Sequence, residues 1–373
     1  MKIFILASSP DSLQNFRGQL ILDLVARGHK VIACAPNLLV RTDKVEWLTK
    51  HNVICLDAPF SRVGLSPVGD LKALFLLVKI LRHHKPLVFI SYTIKPVIWG
   101  GLAARISCIP KRVALITGLG YAFTGKAEGK RKLIQTIART LYRISLKGMH
   151  QIFFQNPDDK NDFANYKLLP VTAKIDILNG SGVDTNIFSH SPLPDVPIRF
   201  LLIARLLGDK GIREYAAAAE IVKSKYNTVE FDLVGGLDPN PDGLVESEVK
   251  RWVDKKVLNW HGKQVDVKPF IRNCHVYVLP SYREGTPRSV IEAMSIGRAI
   301  ITADSPGCRE TVVDGYNGFL VSVRNVETLV EAMTKFIEEP LIITKMGQAS
   351  RKLAVEKYDV HKVNAFMMTR ILY

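Results

Sequence analysis

Short apolar runs alternate with amphipathic helical stretches along the whole chain. Runs such as KIFILAS and KVIACAP predict buried strands, and FRGQLILDLVARG, which ends at Gly28, predicts a helix. The rhythm starts again after residue 190 with IRFLLIA, EFDLVGG, VLNWHG, HVYVLPS and AIITAD. Continuous apolar strands between helices are typical of parallel sheets covered on both faces. The pattern therefore predicts an α/β protein with doubly wound sheets.

The length of the chain predicts two domains. At 373 residues it exceeds the size at which one hydrophobic core usually stops growing. The segment SHSPLPDVP at 189–197 has three prolines in nine residues and no periodicity, so we place the boundary there. We predict an N-terminal domain over 1–190, a C-terminal domain over 191–357, and a last helix at about 358–373 that packs back onto the first domain. Ligands of such sheets bind beyond the carboxyl ends of the strands, which predicts a site in a cleft between the domains.

Cysteine use and hydropathy predict a cytoplasmic protein without a membrane span. The five cysteines are scattered and form no C-x-x-C pair, which disfavours disulfides and a zinc site. The opening KIFILASS is too short for a signal peptide. The longest apolar run elsewhere, ALFLLV at 73–78, is far below the roughly 20 residues that cross a bilayer.

Positive charge is concentrated in the first half. Residues 1–190 carry 26 Lys and Arg against 12 Asp and Glu, whereas residues 191–373 carry 25 against 23. The first half should therefore face an anionic partner, either nucleic acid or a membrane surface.

One stretch, at 125–150, combines this charge with helical periodicity. It holds seven Lys and Arg against one Glu, which predicts a basic amphipathic helix on an anionic leaflet. The alternative is an ordinary helix that packs its apolar stripe on the sheet and solvates its lysines. The charge imbalance favours membrane association. The stripe consists of Leu133, Ile134, Ile137, Leu141 and Ile144.

A strand-to-helix turn, YREGTP, lies between CHVYVLPS and RSVIEAMSIG. Gly285 lets backbone approach a ligand, Pro287 suits a first helical turn, and the free N–H groups near Arg288 and Ser289 favour an anion such as phosphate. Glu284 lies on the turn. Glu292 lies about one turn into the helix, where its carboxylate can accept hydrogen bonds from a ribose diol. The alternative is two ordinary glutamates, one solvated and one favoured by the helix dipole.

A second loop, in IARLLGDKGIREYAAAAEIV, places two cations beyond a predicted strand. Arg205 and Lys210 flank the turn and can neutralise a leaving diphosphate. An ordinary basic loop is the alternative. No Asp-x-Asp pair occurs in the sequence, so a magnesium-held diphosphate is disfavoured.

Together these motifs resemble the retaining glycosyltransferases of family GT4. The resemblance rests on Arg205, the Lys210 and Gly211 pair, and Glu284 followed after seven residues by Glu292. It implies the GT-B fold, two facing Rossmann-like domains. It also implies that Arg205 and Lys210 bind the donor diphosphate, Glu292 the ribose, and Glu284 the transferred sugar. No cofactor is implied.

Further donor contacts follow from the same resemblance. The turn after the strand in VLNWHG is expected to hold the base, and the YREGTP turn the donor; the residues concerned are Gly262, Lys263, Gln264, Gly285, Thr286, Pro287, Arg288 and Ser289. Many GT4 enzymes have a Gly-Gly turn after the first strand, but this chain has SSPDSLQNFRG. Here Ser12, Asn15, Phe16 and Arg17 are expected to shape the loop instead.

The segments SLQNFR, FSRVGLSP, ITGLGYAF and PSYREGTPRSVIEA are similar to the bacterial N-acetylgalactosaminyltransferases that act on undecaprenyl-diphosphate-linked sugars. This implies a UDP-hexosamine donor, a polyprenyl-diphosphate-linked acceptor and a location on the cytoplasmic face of the inner membrane. Arg62 and Lys95 are candidates for the acceptor diphosphate, and Thr117, Gly118 and Gly120 for the acceptor sugar. The expected chemistry is metal-free front-face displacement, with a covalent intermediate on Glu284 as the alternative.

Two other functions compete with glycosyl transfer. A nucleotide-sugar 2-epimerase of the same fold would have no lipid acceptor, so the positive charge of the first half would have no function. Nucleic-acid binding suits the charge, but no recognition-helix motif or pattern of interleaved aromatic and basic residues is present. We therefore expect no nucleic-acid partner.

Overall fold

The computed structural model divides the chain into two compact units. Unit 1 comprises Met1–Ser181 and His361–Tyr373, and unit 2 comprises Gly182–Val360. The residues that the structure describes are 1–61, 67–119, 129–240 and 242–372.

Unit 1 is built on a seven-stranded sheet in which every pair of neighbouring strands is parallel. The strands are β1 (Lys2–Leu6), β2 (Lys30–Ala35), β3 (Ile54–Asp57), β4 (Val88–Tyr92), β5 (Lys111–Ile116), β6 (Gln151–Phe154) and β7 (Lys174–Ile177). Their order in the sheet is β3-β2-β1-β4-β5-β6-β7.

Helices cover both faces of this sheet. They are α1 (Pro10–Ala26), α2 (Thr42–Lys50), α3 (Pro67–His84), α4 (Gly101–Ile106), α5 (Gly129–Leu146), α6 (Pro157–Asn165) and α13 (Val360–Leu372). Ile3, Ile5 and Val31 pack with α1 and α13 on one face. Phe4 and Leu6 pack with α3 and α4 on the other, where α5 also lies.

Unit 2 repeats the plan with six parallel strands in the order β10-β9-β8-β11-β12-β13. The strands are β8 (Arg199–Ile203), β9 (Glu230–Val234), β10 (Asn259–Trp260), β11 (Val276–Leu279), β12 (Ala299–Ala303) and β13 (Gly318–Val321). The helices are α7 (Ile212–Lys225), α8 (Glu246–Asp254), α9 (Lys268–Arg272), α10 (Arg288–Ile296), α11 (Val326–Glu338) and α12 (Leu341–Leu353). The prediction of doubly wound parallel α/β sheets is confirmed.

The division between the units lies nine residues before the predicted boundary at 190 and 191, between Ser181 and Gly182. The intervening segment belongs to unit 2 because its backbone is bound there. The N–H of Val183 donates to the carbonyl of Tyr358 at 2.9 Å, and a Cβ on Gly182 would lie 2.6 Å from the Cα of Val360. The proline-rich segment is therefore internal to unit 2.

The region of residues 12–17 is helical and not a loop. Helix α1 begins at Pro10, six residues before the predicted start, because proline suits a first helical turn and Asp11 adds a favourable acidic side chain there. The hydroxyl of Ser12 also donates to the carbonyl of Ser9 at 2.6 Å. Ser12, Asn15, Phe16 and Arg17 therefore lie in the first turns of α1 and not in a strand-to-helix loop.

The edge strands β7 and β13 were missed by the sequence analysis. Each has four residues and lies at the end of its sheet, and both residues at the ends of β7 are exposed. Charged residues interrupt the apolar run of β7, at Lys174 and Asp176. Strand β13 is a short apolar run, GFLV, that the sequence analysis passed over.

Among the described residues, none of the helices combines the length and the hydropathy that a bilayer span requires.

Candidate active site

The predicted donor residues of unit 2 follow strands that are neighbours in the sheet. Arg205 follows β8, residues 262–264 follow β10, and Glu284 follows β11. Strand β9 lies between β10 and β8, and β11 lies on the other side of β8. Because the strands are parallel, their carboxyl ends lie along one edge of the sheet. We call this set of loops the strand-end site.

A short ion pair lies at the centre of the strand-end site. Nζ of Lys210 lies 2.6 Å from Oε1 of Glu284, and only 13% and 19% of the two side chains are exposed. The buried hydroxyl of Ser281 lies 2.9 Å from the same carboxylate oxygen and can donate to it. Glu284 is therefore oriented by a cation and by a hydroxyl.

Backbone contacts hold the two loops together. The short 3₁₀ turn Gly208–Lys210 ends at Gly211, whose φ of 70° is in the left-handed region. A Cβ at Gly211 would lie 2.3 Å from the carbonyl oxygen of Pro280, so only glycine allows this approach. The N–H of Tyr282 also donates to the carbonyl of Asp209 at 2.9 Å. Lys210 is thereby placed beside the end of β11.

Lys210 remains a cation in this setting. Burial alone would lower its pKa, but the carboxylates of Glu284 and Asp209 outweigh burial and raise the pKa above its usual value. Burial also raises the pKa of Asp209, although the Lys210 ammonium opposes that rise. The Oδ1 atom of Asp209 lies 4.0 Å from Nζ of Lys210. The site thus holds one protonated amine between two carboxyl groups.

Arg205 provides a second and more accessible cation. Its guanidinium donates to Oδ2 of Asp238 at 2.9 Å, and 58% of its side chain is exposed. A single ion pair at such an exposed position contributes little to stability, so Arg205 is available to an anionic ligand.

Glu292 is a buried carboxylate on the first turns of α10. Nε of Arg288, four residues earlier, donates to its Oε1 at 2.8 Å. Burial raises the pKa of Glu292, while the Arg288 guanidinium opposes that rise. Pro287 is the residue that precedes the first helical residue, so Arg288 and Ser289 form the N-terminal turn as predicted from the sequence.

The turn at 262–264 lies against the end of β9. The N–H of Gly235 donates to the carbonyl of Gly262 at 2.8 Å, and a Cβ on Gly236 would lie 3.2 Å from Cβ of Lys263. The side chain of Gln264 donates to the carbonyl of His261 at 2.6 Å, and Lys263 and Gln264 are exposed. The structure therefore brings this turn next to the loop that carries Asp238.

The loop after β12 supports the YREGTP turn. The N–H of Glu284 donates to the carbonyl of Pro306 at 2.9 Å, and Ser305 donates to the carbonyl of Ser281 at 2.7 Å. Gly307, with φ of 83°, approaches so closely that a Cβ there would lie 2.2 Å from the carbonyl oxygen of Glu284. Gly285 is buried beneath this contact and Thr286 is half-buried.

The predicted donor residues of unit 1 lie on α1. Asn15 and Phe16 are exposed, whereas Arg17 is buried with its guanidinium 5.2 Å from the centre of the Tyr92 ring. The Tyr92 and Ser12 hydroxyls are 3.0 Å apart, and burial raises the pKa of Tyr92 to about 12. Arg17 is thus tied to the end of β4.

The candidate acceptor residues are only partly placed. Nζ of Lys95 lies 3.1 Å from Oδ1 of Asp70, and both side chains are largely buried. Thr117 and Gly118 directly follow β5 and are half-buried. Arg62 and Gly120 lie outside the described residues. The acceptor role of all five stays a prediction.

Sequence analysis missed three residues of the strand-end site: Ser281, Asp209 and Asp238. Ser281 and Asp209 have a detectable signal, because Ser281 lies two residues beyond β11 and three before Glu284, and Asp209 directly precedes Lys210. Asp238 has none, since its contact with Arg205 spans 33 residues and depends on the neighbouring positions of β8 and β9. Across the described ranges, no three His, Cys, Asp or Glu side chains are grouped closely enough to bind a metal ion.

Two family models match the chain and together span both units. The model described as "Glycosyl transferases group 1" matches residues 183–353, which include every residue of the strand-end site. The model described as "Glycosyl transferase 4-like" matches residues 9–156. The chain is a GT4-type glycosyltransferase. The predictions of the family and of an enzymatic function are confirmed.

Relatives of this glycosyltransferase support the same assignment. It is 29% identical to the N,N'-diacetylbacillosaminyl-diphospho-undecaprenol alpha-1,3-N-acetylgalactosaminyltransferase of Campylobacter jejuni, over 96% of this chain and 95% of the relative. It is 23% identical to the UDP-Gal:alpha-D-GlcNAc-diphosphoundecaprenol alpha-1,3-galactosyltransferase of Escherichia coli, over 80% of this chain and 78% of that relative.

Solved structures show that the fold of this glycosyltransferase is GT-B. Sucrose-phosphate synthase from Thermosynechococcus elongatus matches with a TM-score of 0.80 and 17% identity, over 99% of this chain and 98% of that protein. The HepE protein of Anabaena in complex with UDP matches with a TM-score of 0.76 and 16% identity, over 99% of both chains.

Proposed function

We propose that this glycosyltransferase transfers a hexosamine, GalNAc in our proposal, from a UDP-sugar to an undecaprenyl-diphosphate-linked sugar in bacterial surface glycan or glycoprotein assembly. The observation that carries the proposal is the strand-end site, where the Lys210 ammonium lies 2.6 Å from the Glu284 carboxylate. A cation for a diphosphate and a carboxylate for sugar hydroxyls are thereby adjacent. The names of the Campylobacter and Escherichia relatives support a lipid-linked acceptor and, in the first case, GalNAc as the sugar.

The donor roles follow the chemistry of each side chain. Lys210 and Arg205 bind the diphosphate. The diphosphate replaces Asp238 as the partner of Arg205, because an exposed ion pair of this kind contributes little to stability. Glu284 accepts hydrogen bonds from the transferred sugar, and Glu292 from the ribose. The turn at 262–264 contacts the base.

Transfer proceeds with retention by front-face displacement, without a metal. The bond between the anomeric carbon and the diphosphate oxygen breaks, and the acceptor oxygen forms a bond to the same face of that carbon. The departing phosphate oxygen takes the proton of the acceptor hydroxyl. Lys210 and Arg205 stabilise the charge that develops on the leaving group, which is the role that otherwise falls to a metal ion.

The surroundings of Glu284 favour binding over nucleophilic attack. One of its oxygens contacts both Lys210 and Ser281, which lowers the negative charge available for attack on the sugar. The same two contacts fix the direction in which the carboxylate can accept hydrogen bonds. Glu284 therefore acts as the contact for the hydroxyls of the donor sugar.

Unit 1 holds the acceptor and faces the anionic cytoplasmic leaflet of the inner membrane. It carries 28 Lys and Arg against 11 Asp and Glu, whereas unit 2 carries 23 against 24. On α5, four of the five stripe residues are exposed, namely Leu133, Ile134, Ile137 and Ile144, whereas Leu141 is half-buried and packs against the core of unit 1. This exposure favours the membrane hypothesis over an ordinary packed helix.

The acceptor is bound by the residues that follow the strands of unit 1. Thr117 and Gly118, with Gly120, contact the acceptor sugar, and Arg62 contacts its diphosphate. Lys95 joins that contact only after leaving Asp70, with which it is paired at 3.1 Å.

A transfer assay on chelator-treated protein tests the proposal. Radiolabelled UDP-GalNAc, UDP-GlcNAc, UDP-Gal and UDP-Glc are each offered with undecaprenyl-diphosphate-linked sugars, and label in the organic phase is counted. We expect label from UDP-GalNAc, and NMR of the product should show an axial glycosidic bond. Glu292→Ala should lower the signal at least about tenfold at donor concentrations below KM.

Label from a different donor would correct the sugar and keep the enzyme class. Transfer only after a divalent metal is restored would contradict the metal-free mechanism. Label in none of the lipid acceptors, with a related enzyme active in the same assay, would contradict the lipid-linked acceptor.

A further inference from the structure

Helix α3 of unit 1 exposes a row of apolar side chains. Val68, Leu71 and Phe75 follow the spacing of one helical face, with 83%, 50% and 67% of each residue exposed. Leu76, on the adjacent row, is also exposed. At ~1.5 Å per residue these side chains extend along about 12 Å of the helix axis. We call them the apolar row.

The opposite side of α3 accounts for the packing of the helix. Ala73, Leu77 and Leu81 are buried in the core of unit 1 beside Phe4 and Phe89 of the sheet. The run ALFLLV at 73–78 is therefore divided between two environments, since Ala73 and Leu77 point to the core and Phe75 and Leu76 to solvent. The apolar row therefore does not contribute to the packing of α3 on the sheet.

Cations follow the apolar row on the same exposed face. Lys72 and Lys79 continue its two rows, and Arg82 and His83 follow at the carboxyl end of the helix; all four are exposed. A protein surface commonly exposes single apolar residues, but a contiguous row bordered by charges marks an interaction surface. Apart from Lys72, which lies within the apolar row, this face is apolar at the amino end of the helix and cationic at the carboxyl end.

The surroundings of α3 favour an anionic lipid surface as the partner. Unit 1 has a net charge of +17 from its 28 basic and 11 acidic residues. Helix α5, with its own exposed apolar residues and cations, covers the same face of the sheet as α3, with α4 between them. Apolar side chains that enter the acyl boundary and cations at the phosphate level are what such a surface recognises.

We propose that α3 is a membrane-contact helix, which inserts Leu71 and Phe75 below the lipid headgroups and places Lys79 and Arg82 at the lipid phosphates. The inference rests on the proposed lipid-linked acceptor, and it assigns to α3 a contact separate from the charge of α5. Apolar insertion supplies binding that persists when salt screens the charges.

Sedimentation with vesicles tests this proposal without any enzymatic readout. The full chain is mixed with vesicles of phosphatidylethanolamine and phosphatidylglycerol at high salt, and the bound fraction is measured for wild type and for the double variant Leu71→Ser, Phe75→Ser. We expect binding at least about tenfold weaker in the variant. Because both side chains are exposed, its melting temperature should match wild type. The single variant Phe75→Ser should show the same direction of change.

Val171→Ser is the matched control, because Val171 is a fully exposed apolar residue of unit 1 that lies outside α3. It should bind vesicles like wild type. The variant Lys79→Gln, Arg82→Gln should lose the preference for vesicles that contain phosphatidylglycerol over vesicles of phosphatidylcholine, most clearly at low salt.

Wild-type binding by the Leu71 and Phe75 double variant would overturn the proposal, as would equal losses in Val171→Ser. Concentration-dependent self-association that the double variant removes, without vesicle binding by wild type, would overturn it in favour of a second copy of the chain as partner. Transfer by wild type to a short-chain acceptor in solution, measured in parallel, shows separately whether the proposed function holds.

Discussion

The two sheets carry charge at their carboxyl edges in different ways. In unit 2, Lys210 and Glu284 meet at 2.6 Å in a site whose loops are held by backbone contacts, and Arg205 is exposed beside it. In unit 1, Lys95 is buried with Asp70, and Arg17 is buried against Tyr92. Lys95 and Arg17 are thus both engaged by partners of the same unit.

This difference indicates that anion binding by unit 2 would depend on local geometry, whereas that by unit 1 would depend on overall charge. Unit 2 is almost neutral, with 23 basic and 24 acidic residues, so the diphosphate binding that we propose for it depends on a few oriented side chains. Unit 1 has a large positive excess, much of it on the surfaces of its helices. The attraction for an anionic surface that we propose for unit 1 therefore needs no single pair of residues.

Removal of the Lys210 ammonium should have the largest effect on glycosyl transfer. We expect Lys210→Ala to lower kcat/KM for transfer by about 10²–10³, because the charge on the leaving diphosphate loses a preorganised cation. The measurement is initial-rate transfer from the UDP-sugar at several donor concentrations. Lys250→Ala, which removes an exposed lysine paired with Glu246 in the same unit, is the control and should be unchanged. A loss below about threefold would mean that Lys210 does not contact the diphosphate.

Glu292→Gln should weaken donor binding while it increases the stability of the fold at neutral pH. We expect donor affinity about a hundredfold weaker, because a neutral amide is a poorer acceptor for two ribose hydroxyls. Burial raises the pKa of Glu292 above its ordinary value of 4.5. The folded state therefore binds the proton more tightly than the unfolded chain, and this carboxylate lowers stability as the pH rises through and above that value.

Glutamine carries no such cost, so the melting temperature of Glu292→Gln relative to wild type should increase from pH 4 to pH 7. Thermal melting across this range and calorimetric titration with UDP check the two effects. A variant that is relatively less stable at pH 7 than at pH 4 would contradict the burial of an ionised Glu292.

The Lys95 and Asp70 pair should behave as a structural element of unit 1. Because 12% and 7% of these side chains are exposed, Lys95→Met or Asp70→Asn alone leaves a buried charge unpaired and should cost about 3 kcal/mol in the free energy of unfolding. The double variant should cost less than the sum of the two. Urea denaturation measures these values, with the exposed pair of Lys250 and Glu246 as the control. Single-variant costs near zero would show that Lys95 is free to leave for a ligand.

Ser281→Ala should have the smallest effect. Loss of the hydroxyl 2.9 Å from Glu284 removes one hydrogen bond, worth about 1–1.5 kcal/mol, and should lower kcat/KM for the donor about tenfold. Ser224→Ala, at an exposed serine of α7, is the control. If donor hydrolysis and transfer both stay at wild-type rates, Lys210 alone orients Glu284.

The fold could be predicted from sequence where burial is complete. The central strands of both sheets are continuous apolar runs, such as IRFLLIA, because helices cover both of their faces. Strand β7, KIDI, has charged residues at Lys174 and Asp176, so it offers no apolar run, and it was missed for that reason. The start of α1 was also missed, since Pro10 and Asp11 after SS suit a turn as well as a first helical turn.

The candidate site could be predicted only for residues that follow strands within one motif. Glu284 and Glu292 share a single turn and helix, so their spacing is visible in the sequence. The contact between Lys210 and Glu284 spans 74 residues, and it depends on β8 and β11 being neighbours. The same holds for Lys95, whose partner Asp70 lies on α3, before the strand that Lys95 follows.

Calorimetric titration with UDP in the presence of a chelator tests whether the strand-end site binds a nucleotide diphosphate, and it needs neither the acceptor nor the identity of the sugar. We expect wild type to bind UDP without metal, and Lys210→Ala and Glu292→Ala each to weaken binding at least about tenfold. Binding that requires a divalent metal, or equal affinity in all three proteins, would contradict the assignment of the strand-end site to a nucleotide diphosphate.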